Sequence, residues 1–228
     1  FPEFKPFFNN RFSSTSLYLL NKYRSADKIA NMRDFDTPNK LSRGSFTYAK
    51  FAKLKELAKN TIGESNEVFE IELQTIFSLY NEIDSKINSL DKQISTIIKE
   101  LNPPTLSIPG IGELTTAVIV SEFGDFNKFS NADKLLSFAG LEPGIYQSGT
   151  ILSNGKMVKR GSGYLRYSLM NIANVVIKYN PTFYDFYLKK RTEGKCHRVA
   201  LSHVCKKLLR VIYKLETQNI QFNPSLLK

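Results

Sequence analysis

The longest regular alternation of apolar and polar positions runs through the middle of the chain. Phe69, Leu73, Ile76, Tyr80, Ile83, Ile87, Leu90, Ile94, Ile97 and Leu101 follow one another at alternating spacings of four and three. That spacing averages 3.5 residues and puts all ten on one stripe of an α-helix, the seam of a coiled coil. Glu72, Asn81, Glu82, Asp84, Lys86, Asp91 and Lys92 fall between them, so the other faces are polar. The pattern predicts a helix of roughly 50 Å at 1.5 Å per residue. It should stop at Asn102-Pro103-Pro104, because the residue before a proline is driven out of the helical region. The stripe needs a second helix to cover it, from another copy of the chain or from an upstream segment. Self-association through residues 69–101 is the expectation, making the protein a homo-oligomer.

Weaker patterns flank the seam. Residues 1–64 read as short helices broken by turn chemistry. Ser16 and Ser25 are expected N-caps, Thr37-Pro38-Asn39 an interruption, and Ser45 the cap of a helix through about Asn60, with Gly63 just past its end. Lys50, Lys53, Lys55 and Lys59 form a solvated face of that helix. Beyond the prolines, Pro109-Gly110-Ile111-Gly112 is a tight glycine turn leading into an apolar helix that ends near Gly124. Ser130 is expected to cap a helix over roughly 132–140. Leu165, Leu169, Ile172, Val176 and Tyr179 then recur at helical spacing as a core-facing stripe, and Pro181 restarts a helix that ends at Gly194. A last helix, about Val199 to Lys214, should turn Val204, Leu208, Val211 and Leu215 inward and Lys206, Lys207, Arg210 and Lys214 outward. Strand signals are confined to a short hairpin near 151–158, with Ser153-Asn154-Gly155 as its turn. The fold expected is mainly α: a linker region over 1–64, a coiled-coil helix over 65–102 and a compact helical domain over 103–228.

Composition sharpens this picture in two respects. An apolar content of 42% in 228 residues allows a real core. No apolar run approaches the ~20 residues of a membrane span, and the Phe1-Pro-Glu-Phe-Lys-Pro-Phe-Phe start has no leader signature. Starting on Phe1 instead of Met reads as a piece of a longer polypeptide. Two cysteines make no disulfide framework and suit a reducing cytoplasm. The net charge of +11 is unevenly placed. Residues 145–228 carry 15 Lys/Arg against Asp185, Glu193 and Glu216, a net of +12, while the preceding residues are close to neutral. Such concentration is the footprint of a nucleic-acid partner. An anionic membrane fits less well, because the cations are spread over several predicted helices and loops.

The candidate chemistry begins where the charge does. Residues 142–166 place Ser148 in a glycine-flexed loop, followed by Lys156, Lys159, Arg160 and Arg166. A serine attacks a phosphodiester when a base takes its proton and cations hold the pentavalent phosphate. No histidine lies near in sequence to act as that base. The plain alternative is a basic surface loop whose serine solvates a turn. Pro109-Gly110-Ile111-Gly112 resembles the hairpin of a helix-hairpin-helix element, over about 106–124, whose backbone N–H groups meet a DNA phosphate. An ordinary helix–helix turn is the alternative there. Cys196, His197, His203 and Cys205 do not follow the spacing of a zinc site. The acids lie mainly on the seam helix, no metal site is evident, and no P-loop or dinucleotide fingerprint is present.

In order along the chain stand Ile108-Pro-Gly-Ile-Gly112, Leu135-Leu-Ser-Phe-Ala-Gly-Leu-Glu-Pro143, Gln147-Ser148-Gly149-Thr150, Lys159-Arg160-Gly161 and Leu165-Arg166. Together they resemble the C-terminal transposase domain of the DEDD-type insertion-sequence transposases, the IS one-ten group, which also contains the Piv-type site-specific invertases. The resemblance covers about residues 104–215. It implies a DNA recombinase, guided in some groups by a structured non-coding RNA from the element's own ends. It implies that Ser148 is the nucleophile forming a phosphoserine link to DNA. Gly110, Ile111, Gly112, Lys156, Lys159, Arg160, Gly161, Arg166 and the basic helices over 167–215, with Lys206, Lys207 and Arg210, are the expected DNA- or RNA-binding residues. Val158 stands where many relatives carry serine or threonine. The family's RuvC-like domain, with its Asp-Glu-Asp-Asp ligands for Mg2+, is not in this sequence. The chain is therefore expected to bind no cofactor of its own, to be inactive alone, and to act in the cytoplasm at the nucleoid. Rival readings are a non-catalytic DNA-binding and oligomerising module left by a decayed element, and a repair or junction-binding protein.

Overall fold

The computed structural model describes residues 1–148 and 151–226, apart from the side chains of 143, 145–148, 151–156 and 226. Its elements are mainly helical: α1 (Phe4–Phe7), α2 (Ser14–Tyr23), α3 (Ala26–Ala30), α4 (Asp36–Leu41), α5 (Tyr48–Lys59), α6 (Glu67–Leu101), α7 (Glu113–Phe123), α8 (Ala132–Phe138), then strands β1 (Pro143–Ser148) and β2 (Ile151–Met157), and finally α9 (Gly163–Tyr179), α10 (Pro181–Thr192) and α11 (His197–Gln218). They form two compact units, Phe1–Asn88 and Ser89–Lys228, and the boundary falls inside α6.

The first unit closes short helices over an aromatic core. Phe4, Leu19, Ile29, Met32, Phe46, Phe51 and Leu54 are buried together, and Phe8 stacks on Phe46 with ring centroids 6.2 Å apart. Lys22 and Tyr18 both bond Asp34, at 2.8 and 2.6 Å. Together they hold its carboxyl well below the usual carboxylate range. Four expectations are corrected here and in the second unit, each by local competition. Ser13, not Ser16, caps α2 by accepting from the Ser16 amide, and Ser16 is buried inside the helix. Thr47, not Ser45, caps α5. Asn131, not Ser130, caps α8, accepting from Asp133 and Lys134. Thr37-Pro38-Asn39 lies inside α4 and does not interrupt it. Pro38 sits in the first turn, where a missing N–H costs no intrahelical bond.

The 35-residue α6 is the longest element and ends, as the sequence dictates, at Asn102 and the prolines behind it. Most of its seam is open: Ile83 is 60% exposed and Leu90 56%. Ile98, which is off the seam, is buried.

In the second unit α9 and α11 supply the core. Leu165, Leu169, Ile172 and Val176 of α9 are buried with Val204, Leu208, Val211 and Leu215 of α11. Phe183 of α10 and Ile119 and Phe123 of α7 complete the cluster. α11 runs from His197 to Gln218, a few residues beyond the expected bounds at each end, with Ala200 buried in its first turn and Leu215 in its last. Tyr179 does not face the core. It is 67% exposed, while its neighbours Val176 and Ile177 in the same turn are buried. The hairpin pairs β1 with β2 antiparallel, Ser148 opposite Ile151 and Pro143 opposite Met157, with an irregularity near Gly144. Ser153-Asn154-Gly155 therefore lies within β2 and not at the turn, because the strand register that satisfies the ladder begins earlier in the chain.

Candidate nucleic-acid interface

Three stretches of the second unit carry the candidate site residues, and each is positioned by a distinct device. The first is the glycine turn. Gly110 adopts φ +96°, and a Cβ there would lie 3.1 Å from Val176 Cα and 3.5 Å from Tyr179 Cβ. A side chain at 110 would thus wedge α9 away from the turn. Ile111 is buried and its amide donates to the Ile108 carbonyl at 3.0 Å, so this residue is spent on the fold. Gly112 precedes α7 and its α-carbon faces open space. The free amides for an anion are those of the first turn of α7. Glu113 stands in that turn, bonded to Ser95 and to Lys99 of α6, the latter at 3.2 Å. The Ser95 hydroxyl and then Lys99 hold the Glu113 carboxyl below its ordinary range.

The second stretch is the basic motif behind the hairpin. Gly140 closes α8 at φ +67°, and Gly161 takes φ +107°. The two glycines interlock: a Cβ on Gly140 would strike the Arg160 carbonyl, and a Cβ on Gly161 would strike the Phe138 carbonyl. Arg166 turns back over this contact, its Nη1 donating to the Lys159 carbonyl at 3.5 Å. Lys159 and Arg160 are left exposed. The Val158 amide donates to the Glu142 carbonyl at 2.9 Å, closing the base of the hairpin.

The hairpin sets where Ser148 lies. Its backbone ends β1, and its side chain, with that of Lys156 and all of Gly149 and Thr150, falls outside the described residues. Counting along β1 from the Pro143–Met157 pair to the Ser148–Ile151 pair gives about 17 Å at roughly 3.3 Å per residue. The chain thus holds Ser148 at one end of the hairpin and Lys159, Arg160 and Arg166 at the other.

The third stretch is α10 with α11. Lys207 lies over the Phe186 ring, its Nζ 4.7 Å from the centroid, and burial pushes the ammonium groups of Lys206 and Lys207 below their usual pKa. Arg210 pairs with Asp133 at 3.0 Å, and Lys190 with Glu193 at 2.8 Å. Sequence reasoning placed Lys207 and Arg210 on the outward side of α11 but missed their partners, Phe186 of α10 and Asp133 of α8. Cys205 is fully buried, and burial raises its thiol to about 12. Cys196 is exposed. Among the described residues no three or more His, Cys, Asp or Glu side chains converge as a metal site, and no helix is long and apolar enough to cross a membrane.

Sequence comparison agrees with these stretches. Residues 105–188 match the model of the transposase IS116/IS110/IS902 family. The chain is 26% identical over 221 residues to the insertion element IS900 uncharacterized 42 kDa protein of Mycobacterium paratuberculosis, covering 93% of this chain and 55% of that protein. It is 26% identical over 148 residues to the insertion element IS110 uncharacterized 43.6 kDa protein of Streptomyces coelicolor, covering 64% of this chain and 36% of that one. It is 32% identical over 146 residues to the pilin gene-inverting protein of Moraxella bovis, covering 60% and 45%. The chain spans from about a third to about half of the length of these relatives. The glycine turn, the interlocked glycines, the hairpin and most of α10 all fall inside the matched segment, so it is over residues 105–188 that the chain is similar to the IS116/IS110/IS902 transposase family.

Proposed function

We propose that the chain binds nucleic acid through its second unit and presents Ser148 as the nucleophile of DNA strand cleavage and exchange. The hairpin is the observation that carries this reading. Ser148 stands in the terminal pair of this two-stranded hairpin, opposite Ile151, a placement suited to a serine that must reach a scissile phosphate. In the proposed step the serine hydroxyl gives up its proton as its oxygen bonds to phosphorus. The P–O bond to the sugar breaks, the sugar oxygen leaves with a proton as a hydroxyl, and energy is conserved in the phosphoserine bond. Mg2+ belongs to a RuvC-like domain in this reading. The described residues of the chain offer no cluster fit to hold it, and the step assigned here to Ser148 is confined to this chain's own atom. Alone, the chain binds but does not recombine.

Binding divides into two parts. The first turn of α7 behind Gly110, Ile111 and Gly112 acts as a helix-hairpin-helix contact, and Lys159, Arg160 and Arg166 hold backbone phosphates near the foot of the hairpin. Lys206, Lys207 and Arg210 extend the surface toward a structured RNA or the DNA itself. Replacing both Lys159 and Arg160 by alanine is expected to weaken binding to duplex DNA about tenfold and to flatten the slope of log affinity against log salt by about two. Fluorescence anisotropy across a salt series reads both. Unchanged affinity and slope would remove these residues from the interface.

The open seam of α6 supports the reading that copies of the chain associate along it. Joint replacement of Ile83 and Leu90 by aspartate puts two charges on the exposed stripe without touching either core, so the helical circular-dichroism signal should survive. Light scattering should then show wild-type chain as a dimer or larger and the variant as a monomer. A monomeric wild type at high concentration would mean that another segment covers the seam.

A further inference from the structure

We propose that the junction of α9 and α10 is a nucleobase pocket, in which Tyr179 and Tyr184 stack on an unpaired base and Lys178 meets the adjoining phosphate. This deepens the nucleic-acid reading above and rests on it. Ile177, Lys178, Tyr179, Asn180, Pro181 and Tyr184 line an open pocket of about 480 Å³. Tyr179 is 67% exposed and Tyr184 46%, and both turn aromatic surface to the same pocket. Aromatic faces at such a site accept any base, because every base has a π-face.

Two further observations point to a ligand. Asn180 is only 3% exposed. Its Oδ1 is engaged as the N-cap of α10, accepting from the Thr182 amide at 3.2 Å. Its amide nitrogen is buried without a hydrogen-bond partner among the described residues. A buried unpaired donor is costly to keep. This one has almost no accessible surface, so a base edge, which carries the acceptors that would satisfy it, meets it when a covering side chain moves aside. The glycine turn is the other observation. Gly110 packs against Tyr179, with Tyr179 Cβ 3.5 Å from where its own Cβ would stand. A strand whose phosphate meets the first turn of α7 is therefore brought next to the pocket.

Charge complementarity fixes the class of occupant. Lys178 is the charged member of the lining, and residues 145–228 carry a net of +12. An aromatic slot with one cation beside it suits a base with its phosphate. An apolar peptide would leave the cation without a partner.

The test uses fluorescein-labelled single strands of roughly 12 nucleotides, within the usual site size of such grooves, as DNA and as RNA. Each is paired with a fully abasic strand of the same length. Wild-type chain should bind the base-bearing strand about tenfold more tightly than the abasic one. Joint Tyr179→Ala and Tyr184→Ala replacement should erase that preference and leave abasic-strand affinity unchanged. Asn180→Asp keeps the cap on α10 but removes the donor, and should lower the preference several-fold. Comparison of the DNA and RNA arms identifies which strand the pocket takes. Equal binding of both strands by wild type, or a preference that survives the double tyrosine variant, overturns the pocket while the wider interface stands. Binding of neither strand would overturn both.

Discussion

Replacing Ser148 by alanine should reduce strand exchange by the full-length recombination-competent protein to background while leaving nucleic-acid affinity within about twofold of wild type. The substitution removes one oxygen from the end of β1 and leaves the ladder intact, since the pairing of Ser148 with Ile151 is through the backbone. A covalent protein–DNA adduct, trapped by denaturing electrophoresis, gives the second readout. It should form with wild type and vanish with Ser148→Ala. Ser148→Cys is a useful companion, because a thiolate is a competent but different nucleophile. Normal recombination by the alanine variant would return Ser148 to the role of a turn residue. Loss of recombination together with loss of binding would place it in the interface and not in the chemistry.

Gly161→Ala is expected to destabilise the second unit by about 2–4 kcal/mol, combining a left-handed backbone cost with overpacking. The reasoning is geometric. At φ +107° an L side chain is strained, and its Cβ would meet the Phe138 carbonyl at a distance no real contact shows. Phe138 ends α8, whose Gly140 is locked in turn against the Arg160 carbonyl and the Arg166 guanidinium. The added carbon therefore has rigid backbone on one side and the second glycine on the other. Urea denaturation should show a lowered midpoint, and Gly124→Ala offers a control, because it shares a positive φ but meets nothing closer than the Lys128 ammonium at 3.5 Å. A Gly161→Ala loss no larger than that of the control would mean that the interlock gives way cheaply. Its nucleic-acid binding, measured below the new midpoint, separates the packing role of this glycine from any direct contact.

The contrast between Gly161 and the seam shows which parts of the molecule were legible in sequence. The seam repeats one local rule through α6, so its length, its polar faces and its end at Pro103 were all readable. The stripe of α11 was readable for the same reason. Gly140 and Gly161 lie on opposite sides of the hairpin, and neither has a sequence signal for the other. Only the folded chain shows that the glycine of the Lys-Arg-Gly motif serves packing. The caps shifted by a few residues because Ser13, Thr47 and Asn131 compete with equally suitable neighbours for the same free amides. The hairpin turn was misplaced because Asn-Gly reports where a turn is permitted, while cross-strand pairing decides where it falls. Tyr179 continued a helical period beyond the core it was assumed to face. Its exposure is what makes the pocket visible. Among the site residues, Ser148 and the exposed Lys159 and Arg160 were named from sequence, whereas Tyr184 and Asn180 were not. No charge or motif marks them, and only their convergence does.

The bond that ties Glu113 to Ser95 and Lys99 has a rotational consequence. A helix turns about 100° for every residue. Because the last turns of α6 are pinned to the start of α7, the direction in which the seam points is geared to the direction in which the second unit points. In an assembly zipped along that seam, the angular position of each serine arm around the common axis is then set by residue count. Deleting one residue between Ile83 and Ser95 would swing the arm by about 100° and spoil any pairing of arms, whereas removing seven would bring it nearly back into phase.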